Sequence, residues 1–210
     1  DFFCFFVPGF QFTPAYKSRV WDGRIRLADL RNFTIYHGLV PYIETFCKER
    51  NYTLEIDSEI SAAENYSLAE AEQFISTLNI SLEVRDYQIK SFVHAIRNKR
   101  ILLLSPTASG KSLIIYLIIR WFLERYENKV LIVVPTTSLV NQMYTDFGDY
   151  SQYDDTFDHE STIHRIYSGR PKFAENERII VSTWQSIYKL GPDWFSQFGA
   201  VIGDEAHNFK

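Results

Sequence analysis

Residues 101–112 read Ile101-Leu-Leu-Leu-Ser-Pro-Thr-Ala-Ser-Gly-Lys-Ser112. Four apolar residues predict a buried strand, and the run Ser112 to Tyr126 behind them predicts a helix that is apolar nearly all round at its start. Between them lies Ser105-Pro-Thr-Ala-Ser-Gly-Lys-Ser112, a loop in the strand–loop–helix setting that phosphate cradling requires. Backbone N–H groups and the helix N-terminus would hold phosphate oxygens. Gly110 lets the backbone come close, Lys111 supplies a point charge, and the Ser112 hydroxyl is placed to ligate Mg²⁺. Ser105 stands where the strict G-x-x-x-x-G-K-[ST] pattern has glycine. Taken alone, Gly-Lys-Ser before a buried helix is an ordinary turn; the flanking strand and helix give the loop its meaning.

Outward from this loop the pattern alternates. Arg85 to Asn98 predicts a helix with Ile89, Phe92, Val93 and Ile96 on one face. Lys129 to Val134 predicts a buried strand, and Thr137 to Phe147 the helix after it. Ser151 to Glu160 is polar and acidic and reads as a solvated loop. Thr162 to Tyr167, Arg178 to Ser182 and Ala200 to Gly203 predict short strands, with a helical turn or two at Trp184 to Leu190. Continuous apolar strands separated by helices imply an α/β fold with a parallel sheet covered on both faces.

Asp204-Glu-Ala-His207 follows the last of these strands. A carboxylate at the C-terminal end of a parallel strand sits in the crevice where nucleotides bind. Asp204 is then a candidate Mg²⁺ ligand with Ser112, and Glu205 a candidate to position or deprotonate an attacking water. A charged turn after a strand is common; pairing it with a phosphate loop upstream in the same sheet makes it specific.

The first 80 residues differ. They hold 7 Lys and Arg against 11 Asp and Glu, whereas residues 81–210 hold 15 of each. A helix is expected from about Leu39 to Arg50, and Ser67-Leu-Ala-Glu70 forms a capping box before Ala71 to Leu78. The expected division is a small α+β domain over 1–80 and an α/β domain over 81–210. Asp22-Gly23 is a two-residue hairpin signal. If these are the turn residues, Trp21 pairs with Arg24 and Arg19 with Arg26. One face then carries Lys17, Arg19, Trp21, Arg24 and Arg26. Like charges directly opposite are unfavourable, so concentrated cations beside an aromatic suggest phosphate contacts with a stacking surface, against the plainer alternative of a solvated basic face.

Composition narrows the rest. Of the 210 residues, 46 % are hydrophobic and 23 % charged, with net charge −4. That excludes a mainly disordered chain. Two cysteines, Cys4 and Cys47, make no disulfide framework. No apolar run approaches the roughly 20 residues of a membrane helix, and the apolar start lacks the basic region of a signal peptide. A reducing cytoplasmic setting is expected, without a membrane partner.

The two motifs together resemble those of the superfamily 2 helicases, whose first motif reads roughly A-P-T-G-S-G-K-T and accounts for Ser105. The resemblance implies a P-loop NTPase (RecA-like) lobe using ATP and Mg²⁺. It implies that Thr107, Ala108, Ser109, Gly110, Lys111 and Ser112 wrap the phosphates. Gln88, in Arg85-Asp-Tyr-Gln88, would bond the adenine edge while Tyr87 or Arg85 packs on the ring. Lys111, Asp204 and Glu205 would act in catalysis, and His207 of the DEAH form would link the nucleotide to the nucleic acid. Pro135-Thr136-Thr137, Tyr167-Ser168-Gly169 and Ser182-Thr183-Trp184-Gln185 resemble motifs Ia, Ib and Ic, which implies nucleic-acid contacts at Thr136, Thr137, Gly169, Thr183 and Gln185.

Phe12-Thr-Pro-Ala-Tyr-Lys-Ser-Arg-Val-Trp-Asp-Gly-Arg-Ile-Arg-Leu27 resembles the N-terminal domain of the UvsW-type helicases of tailed bacteriophages, as does Trp194-Phe-Ser-Gln-Phe-Gly199 in the later part. This implies an ATP-driven helicase acting on branched DNA such as recombination junctions, displacement loops and stalled forks, and on RNA–DNA hybrids, in the cytoplasm of a bacterial host. The chain stops after motif II, so a second lobe is expected beyond it and the 210 residues alone are expected to hydrolyse almost no ATP. Two alternatives stand beside this reading: a double-stranded DNA translocase of the restriction-motor type, and a non-catalytic DNA-binding module.

Overall fold

A computed structural model describes residues 2–57, 65–106 and 108–208. The chain divides into two compact units, Asp1–Ala62 and Ala63–Lys210.

In the first unit, β1 (Cys4–Phe6), α1 (Pro14–Lys17), β2 (Arg24–Arg26), β3 (Ala28–Asp29), β4 (Thr34–Ile35) and α2 (Val40–Glu49) follow in order. β1 pairs antiparallel with β2, and β3 with β4. The expected hairpin between residues 17–21 and 24–27 does not form. The partner of β2 is β1, with Cys4 opposite Arg26 and Phe6 opposite Arg24. The reason lies upstream. Thr13 caps α1, its hydroxyl accepting from the Tyr16 amide at 3.4 Å, and Pro14 occupies the first turn, where its missing N–H is no loss. Residues 14–17 are thereby helical, and the chain leaves through Arg19 at φ 59°. Gly23 still makes the turn. Its φ is +82°, and a Cβ would lie 2.2 Å from the Phe10 ring, so only glycine fits. Phe10 stacks on Phe6 at 4.8 Å and meets Tyr16 edge-on. On α2, Phe46 packs against Phe2 at 5.1 Å.

The second unit contains α3 (Leu68–Thr77), α4 (Asp86–Asn98), α5 (Lys111–Arg125), β5 (Lys129–Val134), α6 (Thr137–Tyr150), α7 (His159–Thr162), β6 (Ile163–Ile166), β7 (Ile179–Thr183), α8 (Trp184–Ile187), α9 (Pro192–Phe195) and β8 (Phe198–Gly203). α3 starts with the expected capping box of Ser67 and Glu70. It belongs to this unit, not to an N-terminal domain ending at residue 80. Ala71, Phe74 and Leu78 join the same core as Phe92 of α4, and the Phe74 and Phe92 rings stack at 5.8 Å. An amphipathic helix goes where its apolar stripe is covered, and α4 provides that cover.

The sheet has the order β6-β7-β5-β8, all parallel. Val130, Ile132, Val134, Ile179 and Val181 face one way, against α3 to α6. Leu131 and Ile180 face the other way, against Ile187 of α8 and Trp194 of α9. Both faces are therefore covered, as continuous apolar strands demand. Among the described residues, one predicted strand is absent. Ile101 to Leu104 forms no strand and joins no ladder, with Leu102 75 % and Leu104 90 % exposed. β8 ends the sheet, its Val201 63 % exposed. Apolar composition promised burial, but a strand also needs a neighbour for its backbone groups, and this segment has none beside it. The acidic loop 151–160 is likewise not wholly solvated. Asp154 is buried, bonded to Arg120 of α5, which also donates to the Tyr116 hydroxyl at 2.9 Å and the Thr156 hydroxyl at 3.1 Å.

Candidate functional site

Because the four strands are parallel, their C-terminal ends share one edge of the sheet. Asp204 follows β8, Thr136 follows β5, Thr183 ends β7, and Tyr167 to Gly169 follow β6. The Asp204 amide donates to the Val133 carbonyl at 2.9 Å, which fixes the acidic turn to the end of β5.

At this edge α5 begins with Lys111. A helix leaves its first N–H groups without intrahelical partners, and its dipole makes that end positive. Ala108 and Gly110 both have positive φ, 62° and 74°, which curls the loop here. Gly110 has a second reason to be glycine: a Cβ would meet the Gln88 amide nitrogen at 2.4 Å. Thr107 lies outside the described residues.

α4 carries the loop from beneath. The Tyr87 hydroxyl donates to the Ser109 carbonyl at 2.8 Å. The Gln88 side-chain amide donates to the carbonyls of Ser109 and Gly110 at 3.2 and 3.4 Å, while its oxygen accepts from the Arg85 amide at 2.9 Å. Gln88 is 4 % exposed, so here it braces the loop rather than presenting a free edge to a base. The Arg85 guanidinium reaches the Tyr87 hydroxyl at 3.5 Å. These two remain at the rim, Tyr87 with its ring partly exposed.

Lys111 is ion-paired with Glu205. The Glu205 bond raises the Lys111 ammonium above its ordinary value and holds the Glu205 carboxyl below its own. Burial pushes the neighbouring Asp204 carboxyl up, while the Lys111 charge pulls the other way. His207 stands 3.5 Å from the second Glu205 oxygen, itself largely exposed. The structure thus brings Lys111, Asp204, Glu205 and His207 into one cluster. Ser112 has other company: its hydroxyl lies 2.8 Å from that of Tyr150.

The donors at this end are hard oxygens and an ammonium. Among the described residues no group of three or more His, Cys, Asp or Glu could cage a metal alone. Mg²⁺ characteristically needs only one or two protein oxygens when phosphates complete its shell, and a carboxylate such as that of Asp204 and a hydroxyl such as that of Ser112 are donors of that kind.

Along the same edge, Thr136 caps α6 by accepting from the Leu139 amide at 3.3 Å, with Thr137 exposed beside it. Gly169 is exposed at φ +86° with open space where a Cβ would go. Gln185 is exposed, but Thr183 is 6 % exposed and its hydroxyl meets that of Ser186 at 2.9 Å. Thr183 starts α8 rather than offering a contact.

In the first unit, Lys17, Arg19, Trp21 and Arg26 line one groove of about 700 Å³ with Tyr16 and Asp22. They do so without sharing a sheet face. Only Arg24 and Arg26 lie on one strand face. Arg24 covers the Phe6 ring at 4.4 Å, and Arg26 is salt-bridged to Asp22. The expected clash of Arg19 opposite Arg26 is therefore replaced by an ion pair. The Trp21 indole donates to the Arg24 carbonyl at 2.9 Å.

The family model for the DNA helicase UvsW N-terminal domain matches residues 1–57, and that for the res subunit of type III restriction enzymes matches 81–210. A crystal structure of the UvsW helicase from bacteriophage T4 superposes with a TM-score of 0.89 at 38 % identity, covering 100 % of this chain and 75 % of that one. The chain belongs to the UvsW helicase family of superfamily 2. Its α/β unit is a RecA-like P-loop lobe, as expected. A second T4 UvsW structure gives a TM-score of 0.88. In sequence, the ATP-dependent DNA helicase UvsW of Enterobacteria phage T4 is 39 % identical over 99 % of this chain, which spans 42 % of that protein's length. The ATP-dependent DNA helicase Hel308 of Caldivirga maquilingensis is 27 % identical over 53 % of the chain. The superfamily 2 motifs pointed to the loop and the acidic turn. They gave no sign of Tyr150, whose phenol reaches Ser112 from the far end of α6, 38 residues away.

Proposed function

We propose that the chain is the N-terminal part of an ATP-driven DNA helicase that remodels branched DNA, such as junctions, displacement loops and stalled forks, and RNA–DNA hybrids, in the cytoplasm of a bacterial host. The observation that carries this is the meeting of Lys111 with Glu205, beside Asp204, at the mouth of a curled phosphate loop. Lys111 would take the terminal phosphates, and Ser112 and Asp204 would hold the Mg²⁺. Bound there, the metal would neutralise phosphate charge. Once Lys111 lets go of it, the Glu205 carboxylate would orient an attacking water and accept its proton. Tyr87 and Arg85 would face the base from the rim, with Gln88 acting through the loop. Thr136, Thr137, Gly169 and Gln185 would follow the nucleic-acid backbone along the sheet edge, and the cationic groove at Lys17, Arg19, Trp21 and Arg26 would add contacts from the first unit. No described helix is long and apolar enough to cross a membrane.

The match to restriction-enzyme res subunits supports a second reading, a translocase that does not separate strands. The test uses the full-length protein with a labelled forked DNA and ATP. Strand displacement that Lys111→Ala abolishes supports the helicase; DNA-stimulated hydrolysis without displacement supports the translocase; hydrolysis unaffected by Lys111→Ala overturns both.

A further inference from the structure

The first two residues of α5 are both engaged by the protein itself. Lys111 is held by Glu205, across the mouth of the loop. Ser112 is held from the opposite direction. The Tyr150 ring is buried in the core beneath α5, 5.6 Å from Tyr116, and its hydroxyl lies 2.8 Å from Ser112 Oγ. A serine hydroxyl offers one proton and two lone pairs. Its bond with the Tyr150 phenol takes up one of these positions and draws the hydroxyl toward the core.

We propose that Tyr150 is a positioning residue that latches the Ser112 hydroxyl against α6, so that Mg²⁺–nucleotide binding has to break this bond. The proposal rests on the assignment of Ser112 to the metal. The latch opposes only the metal-dependent part of nucleotide affinity, because the amides and Lys111 act on the phosphates with or without the ion.

The experiment titrates the chain with a fluorescent N-methylanthraniloyl ADP, once with Mg²⁺ and once with EDTA. A typical net hydrogen bond of about 1 kcal/mol corresponds to about fivefold in affinity. Tyr150→Phe keeps the ring and removes the hydroxyl. The expected result is about fivefold tighter binding with Mg²⁺, no change with EDTA, and no effect of Tyr150→Phe in a Ser112→Ala background. Unchanged or weaker Mg²⁺-dependent binding overturns the latch, as does an equal gain in the Ser112→Ala background. If the unmodified chain binds no nucleotide, or Lys111→Ala binds as well as it does, the nucleotide-site reading itself falls and the latch with it.

Discussion

Lys111 and Glu205, 94 residues apart, form an ion pair at the end of the sheet. Each group stabilises the charged form of the other. The Glu205 carboxylate thus occupies the ammonium proposed to take phosphate.

Glu205→Gln removes that competitor and one negative charge facing the phosphates. Nucleotide binding is expected to tighten a few-fold, measured by fluorescence titration. Hydrolysis by the full-length protein is expected to fall by about 10²–10⁴, the usual contribution of a general base. Weaker nucleotide binding by this variant would show that Glu205 holds the loop open rather than competing with ligand.

The buried pair of Arg120 and Asp154 makes a stability prediction. Arg120→Met leaves an unpaired buried carboxylate and is expected to cost about 3–5 kcal/mol in urea denaturation, with much of it recovered by adding Asp154→Leu. The pair also predicts acid sensitivity. Burial pushes the Asp154 carboxyl up, but bonds from Thr156 and Arg120 outweigh it and hold the group below its ordinary value. A folded value below the unfolded one gives stabilisation that is complete above about pH 3.9, the ordinary carboxylate value, and lost as pH falls through the lowered folded value. Asp154→Asn should be less stable at neutral pH and should lose that component of the acid transition.

The loop brace makes a third prediction. Gly110→Ala places a methyl group on the Gln88 amide at a left-handed backbone position. Nucleotide affinity should fall, and Gln88→Ala in the same chain should relieve the contact without relieving the backbone strain. Equal affinity for Gly110→Ala and the unmodified chain would argue that the loop is rebuilt when nucleotide binds.

The groove of the first unit predicts a salt effect. Arg19→Ala with Arg26→Ala should weaken DNA binding and lower the slope of log affinity against log salt by up to about 2, since each neutralised phosphate contributes about 0.9. An unchanged slope would assign these residues to the Asp22 ion pair and the local fold alone.

Much of this was legible in the sequence. The phosphate loop, the acidic turn and all four paired strands in the large unit carry local signals: a glycine before a helix, a lysine opening that helix, apolar runs six or fewer residues long. The hairpin reading failed because Asp22-Gly23 marks a turn without naming the strand that returns to it. Thr13-Pro14, a helix start, was the competing signal that removes residues 14–17 from any strand. Ile101 to Leu104 failed for the opposite reason, since pairing is a property of neighbours that apolar composition does not encode. The Ser112 contact with Tyr150 was invisible because nothing in either residue's surroundings in the chain refers to the other. It arises only when α5 and α6 pack.

The most direct test of the central claim is a titration of the chain with fluorescent ADP in Mg²⁺, comparing the unmodified sequence with Lys111→Ala. The account predicts saturable binding that weakens at least about tenfold, the equivalent of one charge-assisted hydrogen bond of about 1.4 kcal/mol or more. Equal affinity of the two chains would contradict it, because the ammonium would then have no part in holding phosphate.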